Sequence, residues 1–154
     1  MAVALWTTGT AKVSAAQTLS PNGFVAPECT WFVDAVAGAQ GWKLQFSGDG
    51  RDAYKWPQRV KNGRLVDKPQ SDSIIVFKPG PGIGDLGHLG WVVWVNGNKF
   101  GVVHTKWTAG PKIGTLDGVE FIYTEFQLTS QGHVCMTKPV GWRSYLIDGF
   151  ILRK

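Results

Sequence analysis

The sequence predicts a sheet-rich α+β domain. Only one stretch, 27–38, shows a clear helical apolar pattern. Elsewhere short apolar runs alternate with Gly, Pro and Asn-Gly breaks, which is the pattern of strands joined by tight turns. With 154 residues and 44% hydrophobic residues, the chain can bury a real core as one domain without disulfide or metal support.

Residues 1–26 are small and polar and read as an N-terminal arm or linker, with 27–154 as a single domain. The opening Met1–Trp6 stretch lacks a basic segment and does not read as a signal peptide. Pro27 suits the first position of a helix, because its missing N–H would have no partner there. Glu28 places negative charge near the positive end of the helix dipole. Phe32, Val33, Val36 and Ala37 recur at helical spacing and predict a buried face, with Cys29 on the same side. Gly38 and Gly41 end the pattern. Residues 39–72 read as irregular, with a short helix within 50–56 limited by Pro57, and with Tyr54 and Trp56 as core lids. Strands are predicted over 73–77, 87–95, 100–104, 119–128 and 145–152, with a hairpin at Asn96-Gly97. The segment 108–117 reads as a Gly/Pro loop. In the 119–128 strand, Phe121, Tyr123, Glu125 and Gln127 share one face, and Ile122, Thr124, Phe126 and Leu128 share the other.

Sixteen Lys+Arg against eleven Asp+Glu give a net charge of +5, which favours anionic polymers, cell-wall glycopolymers among them. The cations are scattered, and no recognition helix, zinc-finger spacing or aromatic-basic motif speaks for nucleic acid. No apolar run reaches transmembrane length, so membrane insertion is not expected. Two cysteines, Cys29 and Cys135, are too few for a disulfide scaffold, and whether they pair is left open. His133-x-Cys135 has no second pair at zinc spacing, and 80–84 lacks the Lys-Ser/Thr of a phosphate loop. No metal or other cofactor is expected.

A thiol at a helix start is a chemical opportunity. Unpaired N–H groups favour the thiolate, and positive surroundings can lower a Cys pKa from about 8.5 to roughly 3.5–7.5. A Cys nucleophile needs a base, and the base needs a third group to hold its tautomer. Cys29, His88 at a strand start, and Glu125 with Gln127 on a neighbouring strand supply such a set. His104, behind a hairpin, and His133, in a Ser-Gln-Gly-His loop, read as surface or structural histidines.

Several segments together resemble one family. Glu28-Cys29-Thr30-Trp31-Phe32-Val33 is similar to the cysteine helix of the CHAP family (cysteine, histidine-dependent amidohydrolases/peptidases). Asp72–Phe77 resembles its Gly-Asp-Ile-x-Val-Phe strand, and Gly87-His88-Leu89-Gly90 its Gly-His-Val-Gly/Ala segment. Thr124-Glu125-Phe126-Gln127 resembles its Ser-Glu-x-Asn segment, and Asp148–Ile151 its closing strand. The resemblance implies a papain-like (CHAP/NlpC-type) fold, with the Cys-bearing helix packed on an antiparallel sheet. It implies a peptidoglycan hydrolase, an N-acetylmuramoyl-L-alanine amidase or endopeptidase, that works at the bacterial cell wall as an endolysin or a remodelling enzyme. Cys29 would be the nucleophile, His88 the base and then the acid, Glu125 the orienting group, and Gln127 a polar partner. Calcium-binding relatives carry Asp-x-Asp-Gly ahead of the cysteine; Ser20-Pro21-Asn22-Gly23 lacks both carboxylates here. A Cys29/His88 couple predicts a bell-shaped dependence of rate on pH. A non-catalytic wall-binding module, rich in Trp and Gly, and a thiol amidase acting on another amide are the alternatives.

Overall fold

Strands with apolar residues on both faces need cover on both sides, and the chain meets that need by closing its sheet. The computed structural model describes residues 19–107, 109–141 and 143–154. Eight strands form: β1 Gly63–Val66, β2 Ile74–Phe77, β3 His88–Asn96, β4 Lys99–His104, β5 Lys112–Leu116, β6 Val119–Ser130, β7 His133–Lys138 and β8 Arg143–Arg153. They pair antiparallel in the order β1-β8-β2-β3-β4-β6-β5. β7 pairs with both β6 and β8. The strands β8-β2-β3-β4-β6-β7 therefore form a closed six-stranded ring, with β1 and β5 outside it. The predicted α+β fold is thus mostly antiparallel sheet, and barrel-like. Its helices are α1 Cys29–Ala39, a 3-10 turn Ala53–Lys55 and the four-residue α2 Trp56–Arg59.

Closure creates two cores. Inside the ring lie Ile75, Phe77, Val92, Phe100, Phe126 and Phe150 among others, all fully buried. Outside it, α1 packs Trp31, Phe32, Val33 and Val36 against Leu89, Trp91, Val103 and Phe121. β3 serves both cores: Leu89 and Trp91 face the helix, while His88 and Val92 face inward. The period-two face assignment of β6 holds, with Phe121 and Tyr123 in the outer cluster and Ile122, Phe126 and Leu128 in the inner one. Gly90 sits where β3 crosses β2 and β4 most closely, and a Cβ there would collide with Val102 and meet Ile75.

The predicted helix starts two residues later than Pro27. Pro27 belongs to the preceding turn, closed by Glu28 N–H to the Val25 carbonyl at 3.1 Å. Glu28 is the N-cap, with extended backbone. Pro57 initiates α2 rather than limiting the helix before it, as suits a proline in a first turn. Trp56 is fully buried, its indole N–H donating to the Gly50 carbonyl at 2.6 Å. The predicted loop 108–117 holds β5, because Asp117 (φ 49°) and Gly118 (φ 79°) make a left-handed two-residue turn that pairs Leu116 with Val119. His133 opens β7 rather than sitting in a loop.

Of the predicted arm, residues 1–18 lie outside the described residues. Residues 19–26 pack on the domain: Leu19 pairs with Val25, and Phe24 is buried. Asp34, fully buried in α1, anchors them. Its carboxyl oxygens accept from Ser20 Oγ at 2.6 Å, Asn22 N at 2.8 Å and Asn22 Nδ2 at 2.7 Å. The Ser-Pro-Asn-Gly stretch thus spends its donors on a buried acid. Asp34→Ala removes three hydrogen bonds, leaving Asn22 Nδ2 only its bond to the Leu44 carbonyl. Urea denaturation should show a loss on the order of 3 kcal/mol, and Ser20→Ala a loss nearer about 1 kcal/mol.

Candidate active site

Cys29 is the first residue of α1, half-buried at the edge of the outer core. Backbone N–H groups of Leu89, Thr30 and Cys29 itself favour the thiolate, as a helix start should. Burial outweighs them. With the adjacent Glu28 carboxylate adding to it, burial pushes the thiol up to about 11. The lowered pKa that a helix start offers is therefore not realised in the resting protein. Glu28 pairs with Lys106 at 3.7 Å, both side chains about half exposed, so the pair screens the carboxylate only weakly. Cys135 is likewise a free thiol, on β7.

His88 begins β3 and faces the interior of the ring. Gly87 delivers it there: Gly87 is left-handed (φ 73°), and a Cβ on it would lie 2.7 Å from the Phe77 carbonyl oxygen. His88 Nε2 lies 2.8 Å from His104 Nδ1, and His104 Nε2 lies 2.8 Å from Thr124 Oγ1. All three side chains are buried. They form a line across β3, β4 and β6. Trp107 lies over both rings, 4.9 Å from His88 and 4.7 Å from His104 between centroids. Burial holds His88 down at about 3, and burial plus the neighbouring His88 hold His104 well below the ordinary range. Both rings are neutral at pH 7.

Neutrality restricts the protons. A neutral His104 carries one N–H, so the line runs in one of two directions. Either His88 Nε2–H donates to His104 and His104 Nε2–H donates to Thr124, or Thr124 donates to His104 and His104 Nδ1–H donates to His88. Only the first leaves His88 Nδ1 bare and able to accept a proton.

The structure does not bring Glu125 and Gln127 to His88. Thr124 points inward, so its neighbour Glu125 and the next residue of that parity, Gln127, face outward. Glu125 accepts from Tyr123 Oη at 2.8 Å, and that oxygen accepts from Trp94 Nε1 at 2.6 Å. Burial and the bond to Glu125 push Tyr123 up to about 12. Gln127 stands opposite Lys99 and Cys135. His104, read from sequence as surface or structural, occupies the place expected for Glu125. The available signal was its position in a β-branched strand directly following the His88 hairpin, two residues from buried Val102. His133 is exposed, its Nδ1 3.1 Å from the Gln131 carbonyl.

The CHAP domain family model matches residues 19–106. The chain belongs to the CHAP family. Members are cysteine- and histidine-dependent amidohydrolases and peptidases that act on peptidoglycan in the cell wall. The matched span of this CHAP domain contains Cys29, His88 and His104 and ends before Glu125 and Gln127. No curated protein matches the chain. No helix among the described residues is long and apolar enough to cross a membrane.

Removing the Glu28 charge should make the thiol more acidic. In Glu28→Gln, the midpoint of the pH profile for iodoacetamide alkylation of Cys29 moves down from its wild-type value near 11. An unchanged midpoint would show that solvent and Lys106 already cancel the carboxylate.

Proposed function

We propose that this CHAP domain is a peptidoglycan hydrolase of papain-like arrangement, in which a helix-start thiol works with a histidine on the sheet. It cuts the muramoyl–L-alanine amide or a peptide bond of the stem or cross-bridge, and so lyses or remodels the wall. The observation that carries this reading is the buried line from His88 through His104 to Thr124, starting beside the Cys29-bearing helix. A histidine held on one nitrogen is oriented to work with the other.

In the proposed sequence, His88 Nδ1 takes the Cys29 proton as Sγ attacks the carbonyl carbon. The oxyanion that forms is met by N–H groups at the helix start. Collapse of the tetrahedral species breaks the C–N bond. His88 passes its proton to the leaving amine, and a thioester remains on Cys29. Water then attacks the thioester with its proton going to His88. The acid departs and the thiol is restored. His104 accepts from His88 Nε2–H throughout and spreads the imidazolium charge toward Thr124. Because His104 brings no formal charge, the resting couple is neutral thiol and neutral imidazole rather than an ion pair.

Cys29→Ala should lower release of soluble fragments from purified peptidoglycan by a factor on the order of 10³ or more, with mass spectrometry of the new termini naming the bond. Cleavage that survives the substitution overturns the reading. Walls bound but not cut by either protein would instead support a binding module. The neutral couple also widens the pH bell. The base works while His88 is unprotonated, above about 3, and the thiol supplies its proton below about 11. The kcat/KM profile on a soluble fragment should be flat through pH 6.5. An acid limb at the ordinary histidine pKa would contradict it.

A further inference from the structure

A small cavity of about 110 Å³ opens beside His88. Loop residues Gly82 and Ile83, the turn after β4 with Lys106 and Trp107, and Arg143 with Tyr145 at the start of β8 line it together with His88. Cys29 is not part of its wall. Two cations reach it, and no carboxylate does. Among the described residues, no ion pair or side-chain hydrogen bond engages the Arg143 guanidinium, a fork suited to a carboxylate. Lys106 is held only by the exposed pair to Glu28. Trp107 is 9% exposed, and its indole N–H is buried without a partner. A buried N–H without an acceptor is costly, and a bound acceptor would relieve it.

We propose that this cavity binds a free carboxylate on the leaving-amine side of the scissile bond, with Arg143 as its main anchor and Lys106 and Trp107 as further donors. The inference rests on the hydrolase reading above. Its direction follows from proton transfer. His88 must reach the leaving nitrogen to protonate it, so the residue carrying that nitrogen lies nearest His88. A chain that continues past His88, away from Cys29, enters this cavity. The volume suits a carboxylate with the carbon that bears it, not an extended strand. The substrate class is therefore a stem peptide whose leaving residue ends in a free α-carboxylate or carries one on a short side chain. An amidated residue at that position would leave Arg143 without an anion.

The test uses paired synthetic stem peptides that differ only in carboxylate or carboxamide on the leaving residue. Wild type should cleave the free acid about 10- to 100-fold better in kcat/KM, mostly through KM, the range that a charge-assisted hydrogen bond supplies. Arg143→Gln should bring the ratio close to one. Equal wild-type rates on both peptides, or a preference for the carboxamide, overturn the subsite while leaving the hydrolase reading intact. Should neither peptide be cut, calorimetry with the Cys29→Ala protein and the leaving-side product reads the subsite without turnover. Tighter binding of the carboxylate form, lost in Cys29→Ala/Arg143→Gln, supports it; equal or absent binding overturns it.

Discussion

Closure of the sheet through β7 fixes what each face of every strand can do. Once β6 and β8 are joined, a residue on the ring strands points either into a dry interior or toward α1 and solvent. His88, His104 and Thr124 point in and are buried, and they bond to one another in a line. Cys29 approaches from outside, on a helix that covers the opposite face of β3. The N–H of Leu89 reaches the thiol, while His88, one residue earlier, faces the interior. The candidate site thus lies at the boundary of the two cores.

Burial has a chemical consequence. In a water-filled cleft, a thiol and an imidazole can share charge as an ion pair. Here burial raises one pKa and lowers the other until both groups rest neutral. A carboxylate beside His88 would oppose that drift, but the neighbouring group is a second imidazole. In the proposed mechanism neutral partners place the demand on geometry: the Cys29 proton would move as the sulfur attacks, to a His88 that His104 and Thr124 already hold through hydrogen bonds. Trp107 packs at a tilt against both rings and covers that line.

The sequence made the helix and its buried face legible, because 3.6-residue periodicity survives any tertiary context that buries one side. It also made the central strand 74–77, the His88 strand and the Asn96-Gly97 hairpin legible. It did not make ring closure legible. β7 is a short strand of mixed polarity, and its partners lie on strands that local patterning cannot relate to it. Which residue partners His88 was illegible for the same reason. Period-two counting correctly separated Thr124 from Glu125, but only closure says which of those faces is the inside. A carboxylate seemed the natural orienting group, whereas the inward parity belonged to a threonine and, through it, to His104. Asp117-Gly118 was a readable turn signal that the surrounding Gly and Pro obscured.

If His88 takes the thiol proton as proposed, its Nδ1 must be bare in the resting protein. The most direct measurement is the ring-nitrogen tautomer of His88 and His104 by ¹⁵N NMR of the resting wild-type protein at pH 7. Both rings should be neutral, with His88 protonated at Nε2 and bare at Nδ1, and His104 protonated at Nε2. His88 found protonated at Nδ1, with the relay running from Thr124 inward, would contradict it, because a histidine in that state has no nitrogen with which to accept the proton of Cys29.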